Sequence, residues 1–215
     1  MTPEEIEESK KKIEERETPL VKKHEIGYRG WKLKFNPEGE PRLGAVVQDT
    51  YWEPEDVEVE DPIFGGKLIV KQIKSDWREE VDEPFKKSTK GLYSLKSLEE
   101  VKSRYGGEDI YGAIIPSGKV ASGSAGFRAE KAQVRALFRG TVSCYICRKL
   151  ANFFVHNDER FPLCERCLKR VEKLIRQKGL TSEEVEDLLQ KLAEIYGAEV
   201  VDTLGEDPLK GYWGI

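Results

Sequence analysis

All four cysteines of the chain fall in one stretch, as Cys144-Tyr-Ile-Cys147 and, after sixteen intervening residues, Cys164-Glu-Arg-Cys167. A CxxC turn aims two thiolates at one point, and two such turns supply the four sulfurs of a tetrahedral site with zinc–sulfur bonds of about 2.3 Å. The separation falls in the range of structural zinc modules. Two disulfides would need an oxidising compartment, and no signal peptide directs the chain to one. A thioredoxin-like redox motif would be one pair behind a strand, not two matched pairs. Zn2+ held by Cys144, Cys147, Cys164 and Cys167 is therefore expected. With sulfur at every position no site is left for water, so the ion is structural and not catalytic. Its binding energy is folding energy for a segment with little core of its own.

The flanking residues describe the module. Residues 148–155 read as a short strand, His156-Asn157-Asp158-Glu159 as a polar turn, and Arg160 to Leu163 as the return to the second pair. From Cys164 the pattern turns helical, with Leu168, Val171, Leu174 and Ile175 on one face and a stop at Gly179. A knuckle, a hairpin and a helix that starts on the second CxxC resemble a treble-clef zinc finger over residues 144–178. A zinc ribbon, with both pairs on hairpins, is the alternative.

Charged residues make up 35% of the 215 and hydrophobics 38%, so the core is lean and the surface heavily charged. Abundant Lys and Glu beside three Asn, five Gln and one Met is a bias of hyperthermophile proteins, so a thermophile source is expected. No apolar run is long enough to span a membrane, and a cytoplasmic protein without membrane partners is expected. The net charge of −4 is unevenly spread. Residues 49–61 hold seven acids and no base, and residues 183–207 hold nine acids against Lys191. Residues 128–178 hold thirteen bases against five acids, a net of +8, or about +6 with zinc on four thiolates. A basic module between acidic segments fits either a polyanionic partner or acidic and basic segments folding on each other.

The expected class is α+β: a mainly antiparallel sheet domain, then the finger and a helical hairpin. Residues 1–20 read as a charged helix, opened by Thr2-Pro3-Glu4-Glu5 and carrying Ile6 and Ile13 as a thin stripe, ended by Thr18-Pro19. Residues 21–138 form the α+β domain. Within it, strands are expected at Tyr28 to Phe35, ending in an Asn36–Gly39 turn, at Leu43 to Tyr51, at Leu68 to Val70 and at Phe127 to Phe138. Trp52 to Asp56 reads as a break, Ser97 as the cap of a short helix, and Ile110–Ile115 with Lys119–Ala121 as a hairpin across Pro116-Ser117-Gly118. Residues 139–179 are the finger and 180–200 an acidic helix capped by Thr181-Ser182-Glu183-Glu184. Its stripe is Val185, Leu188, Leu189, Leu192 and Ile195, with an end near Tyr196-Gly197. Residues 201–215 are an aromatic tail that docks on the sheet or serves a partner.

The motifs Tyr28-Arg-Gly-Trp31, Leu92-Tyr-Ser-Leu-Lys-Ser97, Tyr111-Gly112, Gly118-Lys-Val120 and Gly126-Phe-Arg-Ala-Glu130 resemble a module of uncharacterised bacterial, archaeal and phage proteins. The resemblance covers residues 28–130 and implies a fold without an assigned activity. That module often carries cysteines before its G-x-Y strand and His-Glu before its G-F/Y-R. Here Lys87 to Lys90 and Ala121 to Ala125 stand in those places.

Ser117-Gly118-Lys119 is not a phosphate loop, because five residues separate Gly112 from Gly118 and Val120 follows the lysine. His156 between the cysteine pairs invites comparison with zinc-stapled nucleases of the HNH type. Such an enzyme needs further ligands, and Leu168, not a histidine, follows Cys167. No nucleophile–base pair stands out. Arg166, Lys169, Arg170, Lys173 and Arg176 fall within about 120° on the helix, opposite its apolar face, and Arg148 and Lys149 can join them. Cations on a rigid helix suit phosphates. The expected function is therefore a non-enzymatic zinc protein that contacts DNA or RNA. The alternatives are a protein–protein adaptor shaped by zinc and, third, an enzyme in the α+β domain.

Overall fold

A computed structural model describes residues 15–18, 26–45, 50–60, 66–75, 91–104, 109–157, 159–175 and 181–202. Its spine is the long antiparallel pair β7 (Ile110–Ser122) and β8 (Gly126–Arg139). Small residues let these strands approach. A Cβ on Gly112 would lie 2.2 Å from the Ala136 carbonyl oxygen and 2.8 Å from the Trp31 ring, so only glycine fits there. β7 also pairs with β1 (Glu15–Thr18) and with β2 (Gly27–Phe35). β2 carries β3 (Pro41–Gly44) and meets β6 (Leu92–Leu95), which returns to β8. The pairings β7–β2–β6–β8 thus close on themselves, the β2–β6 step resting on the single register pair Tyr28–Leu95. Helix α1 (Leu98–Arg104) follows β6, and the expected Ser97 cap is present, its Oγ accepting the Glu100 N–H at 3.1 Å.

β4 (Glu55–Glu60) and β5 (Lys67–Lys74) form a hairpin that joins β8 through Ile73 and Lys74. The expected break holds at Trp52 to Pro54, but Glu55 and Asp56, read as part of it, open strand β4. Its acids face lysines across the hairpin: Asp56–Lys71 at 2.7 Å, Glu58–Lys67 at 2.6 Å, and Glu55 with Lys74. Asp56 and Lys71 face each other directly and the other two pairs reach diagonally; such cross-strand charge pairs offset the low strand preference of Glu and Asp.

Three further expectations change. Glu15–Thr18 is a strand on β7 and not the end of a helix, and residues 1–14 lie outside the described residues. Pro116-Ser117-Gly118 is not a hairpin turn: β7 runs through it, with Pro116 opposite Ala132 and a register shift between Ser117 and Val120. The shift falls at Gly118, whose φ is 70°, and Lys119, so the turn-like residues are absorbed as a bulge within the strand, and the chain reverses at residues 123–125 instead. Thr181–Glu184 is strand β11 and not a capping box.

The finger follows β8: β9 (Phe153–Asn157), β10 (Glu159–Leu163) and α2 (Glu165–Ile175). β11 adds to β9 antiparallel and leads into α3 (Val185–Tyr196), then β12 (Glu199–Asp202), which lies parallel on β8. The expected helical hairpin is thus interrupted by β11. The stripe Val185, Leu188, Leu189 and Leu192 is buried as its spacing requires, and it rests on β3, β8, β11 and β12. Ile195 is half-buried against the same core. α3 ends at Gly197, whose φ of 62° is the left-handed cap expected of a helix-stopping glycine. The buried Tyr196 hydroxyl accepts the Leu43 N–H at 3.0 Å and donates to the Trp52 carbonyl, fastening α3 to β3.

One apolar cluster joins Trp31, Leu43, Ile73 and Leu137 of the sheet, Leu188 and Leu192 of α3, and Phe154, Val155, Leu163 and Leu168 of the finger. A second, around Tyr28, Tyr111, Ala113 and Phe138, packs under α1. The finger is therefore built onto the sheet through α3.

Candidate metal centre

After β8 the chain folds into a tight knuckle. Ala151 N–H reaches the Val142 carbonyl at 2.9 Å, Ser143 bridges Leu150, and Cys144 N–H reaches the Lys149 carbonyl at 2.6 Å. Arg148 N–H closes the loop on the Cys144 carbonyl at 2.9 Å. This turn forces Arg148 to a φ of 62°, making it the only non-glycine with positive φ among the described residues. That conformation costs about 1–2 kcal/mol, which the surrounding bonds must hold. The strand expected from Arg148 therefore begins only at Phe153, because residues 148–150 return the knuckle.

The β9–β10 hairpin then brings the chain back, with Phe153 opposite Leu163, and Tyr145 N–H bonds the Pro162 carbonyl at 2.8 Å. That bond sets the first knuckle against the start of α2. Cys164 immediately precedes α2, and its carbonyl accepts the Leu168 N–H at 2.9 Å. Cys167 sits in the first helical turn.

These elements bring the four sulfurs within 4.8 Å of one another, with Cys147 Sγ and Cys164 Sγ 3.5 Å apart. The edge of a tetrahedron with about 2.3 Å bonds is about 3.8 Å, so the cluster matches a sulfur cage around one ion. All four thiols are free of disulfides. Cys144, Cys164 and Cys167 are buried, and Cys147 is exposed.

The electrostatics agree with a cation. Burial pushes the Cys144 thiol up, yet N–H groups of Cys147, Cys164 and Ile146 aimed at its sulfur outweigh that and bring it down to about 6. The Cys167 N–H, at the start of α2, lowers Cys164. Cys167 is pushed up to about 12 by burial and by the neighbouring sulfurs. The site thus stabilises some thiolates by backbone donors and crowds the rest, a conflict that a soft divalent ion bound to all four removes. Four sulfurs leave no open position, so the centre is of the structural kind.

The candidate cations cluster around this centre. Arg148 and Lys149 are exposed on the knuckle, and Arg166, Lys169, Arg170 and Lys173 on α2; Arg176 lies outside the described residues. Lys169 pairs with Glu165 at 2.5 Å one turn back. Four acids of 183–202 are engaged away from this face: Glu186 and Asp202 pair with Arg139, Glu199 with Arg135, and Glu183 with Lys191. Among the described residues, Arg148, Lys149, Arg166, Arg170 and Lys173 have no ion-pair partner.

One apolar expectation is corrected. Leu168 and Val171 are buried, but Leu174 is 78% exposed. The side chain of Ile175 lies outside the described residues. The sequence reading also missed that the knuckle exposes Tyr145 (65%), Ile146 (48%) and Leu150 (53%). Their place inside and just after a CxxC turn was the available signal, since a knuckle that small has no interior.

His156 lies in β9 opposite Arg160 and not at the hairpin tip. Among the described residues the four cysteines are the only metal-competent group, and no helix is long and apolar enough to cross a membrane. The chain matches no family model, no curated protein and no solved structure. The two resemblances drawn from its motifs therefore rest on those motifs alone.

Proposed function

We propose that the four cysteines hold one Zn2+ and that the resulting module is a treble-clef-like finger whose cations bind the phosphates of DNA or RNA. In this reading the protein is not an enzyme, and a reducing compartment such as the cytoplasm keeps the thiolates available. The observation that carries the nucleic-acid reading is the set of exposed cations at the metal centre, Arg148, Lys149, Arg166, Arg170 and Lys173, without ion-pair partners among the described residues. Elsewhere Lys67, Lys71 and Lys74 of β5 and Arg135 and Arg139 of β8 are engaged with acids of β4, β12 and α3. Phosphates supply most of the sequence-independent affinity for nucleic acid, and unpaired cations on a rigid frame are what they need.

A second reading, a protein–protein adaptor whose docking surface the metal shapes, draws on exposed Tyr145, Ile146, Leu150 and Leu174. Charge reversal at Arg170 and Lys173 separates the two. Zinc-loaded protein is titrated against labelled DNA and RNA across a salt series. Binding that weakens steeply with salt and collapses in the reversed variant supports nucleic acid; no binding at low salt overturns it.

A further inference from the structure

The cations at the metal centre are not spread over a featureless surface. Ile146, Lys149 and Leu150 of the knuckle, Asn152, and Glu165, Arg166 and Arg170 of α2 line one open groove of about 530 Å³, with Cys147, Cys164 and Cys167 in its wall; Glu165 is held by Lys169. Ile146 and Leu150 form its apolar part and are about half exposed. Leu174 stands one helical turn beyond Arg170 and is exposed on the same side of α2, and Tyr145, which precedes Ile146 and lies outside the groove's lining, is exposed on the knuckle. The Tyr145 ring packs against Phe161 with centroids 6.0 Å apart, which fixes its plane while leaving the ring open to solvent. Four of the seven large exposed hydrophobics among the described residues thus lie on the same knuckle and helix as five unpaired cations.

Duplex nucleic acid presents phosphates and sugar to such a surface and keeps its bases stacked inside, so exposed Tyr, Ile and Leu side chains between the cations gain little from it. A single strand presents both chemistries at once: a phosphate at each residue and an unstacked base beside it. Arg166 and Arg170 are one turn apart, about 6 Å along the helix axis, a step comparable to that between successive phosphates of an extended strand. The apolar knuckle lies across the groove from them, where the bases of that strand would project. An acidic peptide could use the same cations, but a fixed, solvent-open aromatic ring is better matched to the flat face of a base.

We infer that the ligand of this groove is single-stranded nucleic acid, with phosphates on Lys149, Arg166 and Arg170 and bases against Tyr145, Ile146 and Leu150. This rests on the nucleic-acid reading of the same site and narrows it to unpaired strands. The test compares one short labelled oligonucleotide, single-stranded and annealed to its complement, binding to the zinc-loaded full chain at one salt concentration. The comparison is repeated with Tyr145→Ser/Leu150→Ser, whose positions are exposed, and with Arg166→Glu/Arg170→Glu, with zinc content checked in each. The expected result is tighter binding to the single strand. The apolar double variant then loses about tenfold on the single strand and nothing on the duplex, while the charge variant weakens both. Preference for the duplex, or equal losses on both forms in the apolar variant, overturns the inference and leaves the nucleic-acid reading standing. Binding to neither form, with capture of a peptide of alternating Glu and Leu, overturns both.

Discussion

Replacing Arg166 and Lys173 by glutamate should change the salt dependence of binding by an amount that the charge arrangement fixes in advance. Five cations stand unpaired at the centre, and Lys169 is excluded because Glu165 already holds it. If Arg148 and Lys173, flanking the groove, reach phosphates along with Lys149, Arg166 and Arg170, the slope of log K against log salt on a single strand is about −3.5, taking about 0.7 ion released per contact. From about 50 to about 200 mM salt the parent then loses about a hundredfold in affinity. Removing two contacts brings the slope to about −2.1 and that loss to roughly twentyfold. Fluorescence anisotropy with a labelled oligonucleotide across the salt series measures both slopes. Lys71→Glu is the control: it reverses a half-buried charge on the β4–β5 hairpin, already engaged by Asp56 and not part of the finger. The reasoning is refuted if the Arg166→Glu/Lys173→Glu slope equals that of the parent, or if Lys71→Glu lowers the slope as much.

Chelation of the metal should strip hydrogen-exchange protection from residues 144–167. It should leave the amides of β7 and β8 protected around the separate Tyr28–Phe138 cluster; mass spectrometry that finds the finger equally protected without metal contradicts the structural role. Tyr196→Phe leaves the buried Leu43 N–H without its acceptor and should cost about 1–3 kcal/mol, read as a lower urea midpoint at unchanged m. An unchanged midpoint would mean that the phenol does not fasten α3 to β3. Asp109 accepts the Leu33 N–H at 2.9 Å, and burial raises its carboxyl above the ordinary value against the pull of that bond and of Lys32 and Lys34. The folded state therefore binds its proton more tightly than the unfolded chain, so this group's contribution to stability falls as pH rises from the ordinary carboxylate range through the raised value. Asp109→Asn should remove that decline from the pH–stability profile, and an identical profile in the variant would show that Asp109 is not its source.

The metal centre was legible because its chemistry is local: four sulfurs at CxxC spacing, with turns too short to do much else. Caps and stops were legible for the same reason, as at Ser97, at the Asn36–Gly39 turn and at Gly197. What escaped depended on partners distant in sequence. Glu55–Glu60 has little strand preference of its own and becomes a strand by pairing with β5, where Lys71 lies opposite Asp56, Lys67 opposite Glu60, and Lys74 reaches Glu55 diagonally. Thr181-Ser-Glu-Glu has the composition of a capping box, but β9 offered a free edge and the segment paired with it. Pro116 and Gly118 carry the marks of a turn, yet pairing with β8 on one side and β1 or β2 on the other draws them into one long strand. Leu174 follows the helical period of Leu168 and Val171, but periodicity cannot say where the surface beneath a helix ends.

The central claim is that Cys144, Cys147, Cys164 and Cys167 close around one zinc ion and thereby build the cationic groove. X-ray absorption at the zinc edge, combined with metal analysis of the purified full chain, tests it most directly. The expected result is one zinc per chain with four sulfur neighbours at about 2.3 Å. Zinc well below one per chain after purification with the metal present, or a shell in which nitrogen or oxygen replaces any of the four sulfurs, would contradict it.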